Sequence, residues 1–219
     1  MKKNSSTLAI LSLLTVISFG QSAIDYYNQG VSNEKAGALA DALTNYTKAI
    51  ELKPDYAYAY FKRGNAKDHK GDLDGALADY TKAIDLKPDF ATAYCNRASA
   101  KGAKHDLDGA MADCNKAIEL EPNLEKAYEL RGNAEDDKGD SDAALIDYTK
   151  AIELKPDYAA AYYNRGVAKH HKGDSNGAMA DYNKAISLWQ IEVRLNPSQK
   201  PQLQVWIEKA EDAKSHITK

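Results

Sequence analysis

The sequence predicts an all-α protein built from stacked helical hairpins. Three observations predict this class: a segment that recurs at a fixed interval, apolar residues at helical spacing within each interval, and prolines that fall at the ends of the intervals. The segment YTKAIELKPDYA occurs at residues 46–57 and again at 148–159, and related segments begin at residues 80 and 114, so successive starts are 34 residues apart. A fixed period in this range is typical of supersecondary units that bury a continuous core by stacking.

Residues 1–20 precede the repeats and have the composition of a secretory signal peptide. Two lysines near the start are followed by an apolar run that is too short to span a bilayer comfortably. Ser18 and Gly20 place small residues three and one positions before the predicted cleavage point at Gln21. We therefore expect a bacterial chain that is exported to the periplasm or secreted; the alternative is an uncleaved anchor or an additional buried helix. No later segment is expected to span a membrane.

The charge of the chain argues against nucleic acid as a partner. The formal net charge is −3 at pH 7, and removal of the two lysines of the signal peptide would make it −5. The repeats contain no basic stripe of the kind that neutralises phosphates. We therefore expect a mildly acidic mature protein with no nucleic-acid ligand.

The second repeat, residues 57–90, shows how one unit is expected to fold. Its first half has helical spacing and ends at Gly71, a residue type that commonly stops a helix. Asp72 is placed to cap a second helix, whose apolar face begins at Ala76 and continues until Pro88 ends the helix. Each unit is therefore predicted to be a hairpin of a helix A and a helix B.

Particular positions carry the same residue type in every unit. When each unit is counted from 1 to 34 starting at Ala23, position 4 is always tyrosine, positions 20 and 27 are always alanine, and position 8 is glycine in all units but the third. Small residues at positions 8 and 20 let the two helices approach closely, and aromatic rings at positions 4 and 24 fill the space between neighbouring units. The recurring segment is therefore interpreted as scaffold and not as a site used twice.

A 34-residue unit with an aromatic residue at position 4, glycine at 8, alanine at 20, tyrosine at 24, alanine at 27 and proline at 32 resembles the tetratricopeptide repeat (TPR). The departures are arginine in place of an apolar residue at position 7, Cys114 at position 24 and Gln190 at position 32. The resemblance implies a right-handed superhelix that serves as a non-catalytic scaffold for protein–protein interactions. The five units fit without insertion at residues 23–56, 57–90, 91–124, 125–158 and 159–190.

Charged residues at positions 7 and 23 vary together. Units two to five carry arginine and aspartate there, whereas the first unit carries Gln29 and Asn45. Because the hairpin turn lies near positions 15 and 16, the two positions face each other, and we predict a polar contact between helix A and helix B. The alternative is two separately solvated charges. The pairs are Arg63 with Asp79, Arg97 with Asp113, Arg131 with Asp147, and Arg165 with Asp181.

Residues 191–219 follow the last unit and are predicted to cover its exposed face. Because the fifth unit lacks the proline at position 32, helix B is expected to continue to Asn196 and Pro197, and a last helix begins near Pro201. An open stack needs such a cover, since its last unit would otherwise expose an apolar surface. The last helix carries one apolar stripe, formed by Leu203, Trp206, Ile207, Ala210, Ala213 and Ile217.

The sequence contains none of the motifs that indicate catalysis or cofactor binding. It has no glycine-rich phosphate loop, no GxSxG turn and no HExxH motif, and its cysteines lack CxxC spacing. His69 and His171 occupy the same position three units apart, which is too far to share a metal ion. Cys95 and Cys114 are interpreted as separate thiols, with a disulfide as the alternative. We therefore expect a protein that is not an enzyme and holds no metal or cofactor.

The resemblance to TPR proteins implies that helix A lines an inner groove, at positions 2, 5, 6, 9, 12 and 13. Aromatic rings supply apolar contact on such a surface, and asparagine amides can both donate to and accept from a peptide backbone. We expect this groove to bind a peptide or a protein segment; the alternative is an ordinary solvated face. The predicted groove residues are Tyr27, Asn28, Tyr58, Phe61, Lys62, Asn65, Asn96, Lys126, Asn133, Tyr163 and Asn164.

A carboxylate clamp that belongs to one TPR subfamily is only partly matched. Asn65, Asn96 and Lys126 fall in register with it, but Phe61 and Leu130 stand where it requires lysine and arginine. The clamp is therefore not expected in this chain. Two other functions are kept as alternatives to a peptide-binding scaffold: a structural subunit that assembles an envelope complex, and a regulatory subunit of a separately encoded enzyme.

Overall fold

The computed structural model describes residues 21–217, and the predicted signal peptide at residues 1–20 lies outside the described residues. Over the described range the chain is helical without β-strands, which confirms the predicted all-α class, and none of these helices is long and apolar enough to cross a membrane. The helices are α1 (Ala23–Lys35), α2 (Leu39–Leu52), α3 (Ala57–His69), α4 (Leu73–Leu86), α5 (Ala91–Ala103), α6 (Leu107–Leu120), α7 (Glu125–Asp137), α8 (Ser141–Leu154), α9 (Ala159–His171), α10 (Ser175–Leu195), a 3-10 helix (Pro197–Gln199) and α11 (Lys200–Ile217).

The first ten helices form five hairpins, each within one unit of the repeat. We call α1, α3, α5, α7 and α9 the A helices, and α2, α4, α6, α8 and α10 the B helices. Each A helix packs against the B helix that follows it, and that B helix packs against the next A helix. Successive A helices also contact one another, whereas successive B helices in the described range make no comparable contact. The A helices therefore form the inner layer of a right-handed superhelix, and their open face is its concave face.

The hairpin turn of each unit is fixed by its backbone conformation and by a helix cap. At position 15 the backbone φ is positive in all five units; glycine occupies this position in four of them, and His105, with a φ of 60°, occupies it in the third. Glycine adopts this conformation without the steric cost that a Cβ imposes. In units two to five the next residue is an aspartate that caps the B helix, as where Asp72 accepts a hydrogen bond from the backbone N–H of Gly75 at 3.0 Å.

The A and B helices approach most closely where a glycine faces a tyrosine. In the second unit a Cβ added to Gly64 would lie 2.7 Å from Cε1 of Tyr80, and the equivalent glycines of the first, fourth and fifth units face their tyrosines as closely. The third unit differs at both positions, with Ala98 and Cys114 buried in one cluster. The smaller cysteine leaves room for the methyl group that tyrosine would exclude.

The predicted contact between positions 7 and 23 is confirmed as a bidentate ion pair. Arg63 donates from Nε to Oδ2 of Asp79 at 2.8 Å and from Nη2 to Oδ1 at 2.7 Å. The same pair forms in the third, fourth and fifth units. Asp79 is only 3% exposed, so the ion pair joins the two helices inside the hairpin. A second cation contacts this aspartate in three units, from Lys67, Lys101 and Lys169 at position 11.

α10 and α11 close the C-terminal end of the stack. α10 continues to Leu195, beyond the end of the other B helices, as the missing proline predicts. Ile207 and Ala210 of α11 are buried in one cluster with Trp189 of α10, so the last helix covers the apolar face of the fifth unit. Trp206 belongs to the predicted apolar stripe but is 44% exposed, because its ring lies at the end of the concave face.

Candidate peptide-binding groove

The predicted groove residues all lie on A helices, and the structure divides them into two groups. One group lies on α1 and α3 and the other on α7 and α9, with Asn96 of α5 between them. The two ends of the groove therefore carry different sets of side chains. α1 carries Tyr27 and Asn28, α3 carries Tyr58, Phe61, Lys62 and Asn65, α7 carries Lys126 and Asn133, and α9 carries Tyr163 and Asn164.

Aromatic rings line the N-terminal end of the groove. The ring centre of Phe90 lies 4.7 Å from that of Phe61 and 5.1 Å from that of Tyr58, and the rings of Tyr27 and Tyr56 are also 5.1 Å apart. Phe61 and Tyr27 are partly buried by these contacts, whereas Tyr58 is 47% exposed. Tyr58 is therefore the ring of this group that is best placed to contact a ligand.

Two of these rings were not among the residues predicted from the sequence. Tyr56 and Phe90 lie immediately before α3 and α5, in the linkers between units. They occupy position 34, which Leu124 and Tyr158 occupy in the next two units. The recurrence of a large apolar residue at this position was the available signal. The groove is therefore lined by linkers as well as by A helices.

The two predicted lysines of the groove differ in their availability. Nζ of Lys62 lies 3.4 Å from Oε2 of Glu34, an oxygen that also accepts a hydrogen bond from the Tyr46 hydroxyl at 2.6 Å. Lys126 is exposed and has no ion pair within residues 21–217. Lys126 is thus the lysine that is open to a ligand, and Lys62 serves mainly to neutralise Glu34.

Asparagines of neighbouring units hydrogen-bond to each other across the groove. Oδ1 of Asn65 accepts a hydrogen bond from Nδ2 of Asn96 at 2.8 Å and another from the Tyr80 hydroxyl at 3.0 Å. Burial raises the pKa of Tyr80, so its hydroxyl remains protonated and continues to donate. The amide oxygen of Asn65 is therefore occupied by hydrogen bonds within the protein.

A second asparagine pair has the same geometry two units later. Oδ1 of Asn133 accepts hydrogen bonds from Nδ2 of Asn164 and from the Tyr148 hydroxyl, both at 2.9 Å. In each pair the oxygen of the second asparagine, Asn96 or Asn164, accepts no hydrogen bond from the described part of the chain. These two oxygens are held in place and remain open to a ligand.

A pocket of about 630 Å³ lies at the C-terminal end of the groove, between α7, α9 and α11. α7 supplies Glu129, Asp136 and Asp137 to its lining, α9 supplies Tyr163, and α11 supplies Trp206. The α11 contribution was not predicted, because α11 lies outside the repeats. The pocket joins carboxylates and aromatic rings in one cavity.

Glu129 is the buried centre of this pocket. It is 7% exposed and accepts hydrogen bonds from Nδ2 of Asn133 at 2.8 Å, from Nδ2 of Asn164 at 3.0 Å and from the Tyr158 hydroxyl at 3.2 Å. These donors fix the carboxylate in one orientation. Sequence reasoning missed Glu129, although it is the single acidic residue at position 5 of the five units.

The described residues offer little for covalent or metal chemistry. Among residues 21–217 no group of three or more His, Cys, Asp or Glu side chains is placed to hold a metal ion. Cys95 and Cys114 are both buried, and the structure has them as free thiols. Burial raises the pKa of Cys95 to about 12, so this thiol is scarcely ionised at neutral pH and is a poor nucleophile.

The helical hairpins and their repeat length agree with the result of a comparison with protein families. A family model described as TPR repeat matches residues 35–67, 69–104 and 132–173, and a model described as Tetratricopeptide repeat matches residues 91–124 and 159–188. The chain therefore belongs to the tetratricopeptide repeat family. No curated protein matches the chain by sequence.

Several solved structures share the fold. The crystal structure of MamA protein is 25% identical, with a TM-score of 0.66 over 80% of this chain and 95% of that chain. YrrB, described as a TPR protein with an unusual peptide-binding site, is 26% identical, with a TM-score of 0.62 over 86% of this chain and 92% of that chain. TTC0263, a thermophilic TPR protein of Thermus thermophilus, is 19% identical, with a TM-score of 0.67 over 86% of this chain and 98% of that chain.

Proposed function

We propose that the protein is a non-catalytic scaffold whose concave face binds an extended peptide or a segment of a partner protein. The observation that carries the proposal is a row of groups left open to a ligand along one face of the A helices. These groups are the ring of Tyr58, the amide oxygens of Asn96 and Asn164, and the ammonium group of Lys126.

The two amide oxygens are suited to a peptide backbone. Each belongs to an asparagine whose Nδ2 is already hydrogen-bonded to the preceding unit, so the side chain is oriented before a ligand arrives. Such preorganisation lowers the entropic cost of accepting a hydrogen bond from a peptide N–H. The exposed Tyr58 ring adds apolar contact with few rotatable bonds to fix.

Membership of the TPR family supports a role in protein interaction. YrrB, which shares this fold, is described as having a peptide-binding site. The alternatives are a structural subunit of an envelope complex, which would leave the concave face without a peptide, and a regulatory subunit of a separately encoded enzyme.

Selection of binders from a random-peptide display library, followed by calorimetric titration of the selected peptides, tests the proposal. We expect Asn96→Ala combined with Asn164→Ala to weaken binding about tenfold or more, since each hydrogen bond contributes about 1 kcal/mol. Asn183→Ala is the matched control, because Asn183 is exposed on the B helix α10. Circular dichroism melts show whether the variants keep their fold. Equal affinity of the double variant and the control would contradict binding in the groove and favour the two alternatives.

We further propose that the chain is exported and that residues 1–20 are removed. The support is the pairing of basic residues with a short apolar run and small residues before Gln21. The intact mass of the native protein tests this point directly. A mass that includes Met1 to Gly20 would contradict export by cleavage.

A further inference from the structure

The pocket between α7, α9 and α11 carries negative charge that the protein does not balance. Glu129 is almost fully buried and accepts hydrogen bonds only from neutral amides and from the Tyr158 hydroxyl. Asp136 accepts a hydrogen bond from Oγ of Ser141 at 2.6 Å, and its Oδ2 lies 3.4 Å from Nδ1 of the exposed His171. Within residues 21–217 no lysine or arginine forms an ion pair with Glu129, Asp136 or their neighbour Asp137 on α7.

Burial of the carboxylates strengthens their attraction for a cation. The side chain of Asp136 is 11% exposed and Glu129 is 7% exposed, so water screens both carboxylates poorly. A cation that enters such a site forms charge-assisted hydrogen bonds, which are stronger than bonds between neutral groups. The unbalanced carboxylates therefore favour a positively charged ligand.

The combination of three acidic residues is specific to the fourth unit. Positions 5, 12 and 13 are acidic together in this unit and in no other unit of the sequence. Since the same fold forms without them in the other units, helix packing does not require acid at these positions. At position 5 the other units carry Tyr27, Phe61, Cys95 and Tyr163.

Aromatic rings complete the pocket beside the carboxylates. The ring centre of Trp206 lies 6.1 Å from that of Tyr163 and 6.2 Å from that of Trp189. Nζ of Lys209 lies 4.4 Å from the centre of the Trp206 ring, so this ring already attracts one cation of the chain itself. No cation of the described residues lies over the ring of Tyr163. This ring is therefore available to contact the methylene stem or the charged group of a ligand.

We propose that this pocket binds the side chain of a lysine or an arginine, so that the ligand of the groove is a basic peptide segment. The ammonium or guanidinium group lies against Glu129 and Asp136, and the methylene stem packs against Tyr163 and Trp206. Lys126 at the edge of the pocket is exposed and leaves an excess of negative charge in the lining. This assignment rests on the proposed function and specifies the chemistry of the partner.

Both tryptophans of the chain line the pocket, so their signals report its occupancy. Two kinds of probe are titrated into the purified protein while indole N–H resonances and tryptophan fluorescence are recorded. The first is Nα-acetyl-lysine methylamide, compared with its glutamine and glutamate equivalents. The second is a capped peptide of alanine and serine with lysine, glutamine or glutamate at its centre. We expect lysine to shift the indole signals in both series, and the lysine peptide to bind about tenfold more tightly than the glutamine peptide.

Isosteric variants assign the effect to the pocket. We expect Glu129→Gln to abolish most of the preference for lysine, and Asp137→Asn, at an exposed residue, to reduce it without a risk to folding. Glu51→Gln is the matched control, since it removes one exposed negative charge on the distant helix α2. Peptides that bind with equal affinity whatever their central residue, or a Glu129→Gln variant that matches the control, would overturn the assignment but leave the proposed function standing. If the small lysine probe shifts the indole signals while no peptide binds, the pocket is confirmed and the peptide-binding function is wrong.

Discussion

Glu135 lies beside Asp147 in the fourth unit, at the position where a lysine contacts the equivalent aspartate in units two, three and five. Nε of Arg131 is 2.5 Å from Oδ2 of Asp147 and 4.0 Å from Oε1 of Glu135, so one guanidinium serves two carboxylates. The other oxygen of Glu135, Oε2, is buried and has no hydrogen-bond partner in the described chain. Burial, and next the charge of Asp147, raise the pKa of Glu135 to about 7. The fourth hairpin therefore contains an unfavourable buried charge.

Replacing this glutamate by the lysine of the other units should stabilise the protein. We expect Glu135→Lys to raise the free energy of unfolding by roughly 2 kcal/mol at pH 8, because it removes a like-charge contact and adds a second cation to Asp147. Urea denaturation followed by far-ultraviolet circular dichroism measures the change. Lys101→Glu in the third unit is the reciprocal variant, and we expect it to destabilise. Unchanged stability in both variants would contradict the prediction.

The same residue should make stability depend on pH. The pKa of Glu135 is about 7 in the folded state and near its ordinary value of 4.5 in the unfolded state, so the folded protein binds more protons between these limits. The contribution of Glu135 to stability is therefore fully present below pH 4.5 and is lost as pH rises through 7. We expect the wild type to lose roughly 2 kcal/mol relative to Glu135→Gln between pH 5 and pH 8. Parallel stability curves for the two proteins would show that Glu135 does not titrate in this range.

The effects of substitutions at Ala98 and Cys114 on the free energy of unfolding should depend on each other. A tyrosine at residue 114 would meet the Cβ of Ala98, as the Cβ added to Gly64 meets Tyr80 at 2.7 Å. We expect Cys114→Tyr alone to destabilise by roughly 1–3 kcal/mol through overpacking. Ala98→Gly in the same chain should restore most of that loss. Denaturation of the two single variants and the double variant gives the coupling energy. Additive effects would mean that the two positions do not share the space that the structure assigns to them.

His105 should be the weak point of the hairpin turns. It holds a φ of 60° where the other four units have glycine, and a Cβ disfavours this conformation. We expect His105→Gly to stabilise by about 1 kcal/mol. Gly71→His, the reverse change at the same position of the second unit, should destabilise by a similar amount. Thermal melts compare the two variants, and effects of the same sign would contradict the backbone argument.

Much of the fold was predictable from the sequence, because a repeated unit shows its packing rules several times. The exchange of Arg63 and Asp79 for Gln29 and Asn45 in the first unit pointed to a direct contact, and the bidentate pair confirms it. The end of each helix was similarly indicated by glycine, aspartate and proline at fixed positions. The periodicity of the sequence thus predicts the contacts and helix ends within one hairpin and between identical neighbouring hairpins.

The candidate site was less predictable, because it depends on contacts that do not repeat. Trp206 reaches the groove from α11, and no pattern in the repeats indicates how that helix is oriented. The asparagines were placed correctly on the A helices, but the sequence did not show that the oxygen of Asn65 bonds to Asn96 and Tyr80. Residue type and position are readable from a pattern, whereas the choice between an internal and an external hydrogen-bond partner requires coordinates.

The packing of Trp189 and Trp206 at one end of the stack determines how unfolding will be observed. A linear array of repeats, in which each unit touches only its neighbours, need not melt as a single cooperative block. Because Trp206 belongs to α11 and Trp189 packs against that helix, fluorescence follows the melting of the C-terminal end, while circular dichroism averages over all helices. If the first unit, which has no covering helix before it among the described residues, frays first, the circular dichroism transition will begin before the fluorescence transition. The difference between the circular dichroism and fluorescence curves would then indicate how much of the superhelix, counted from the first unit, has unfolded.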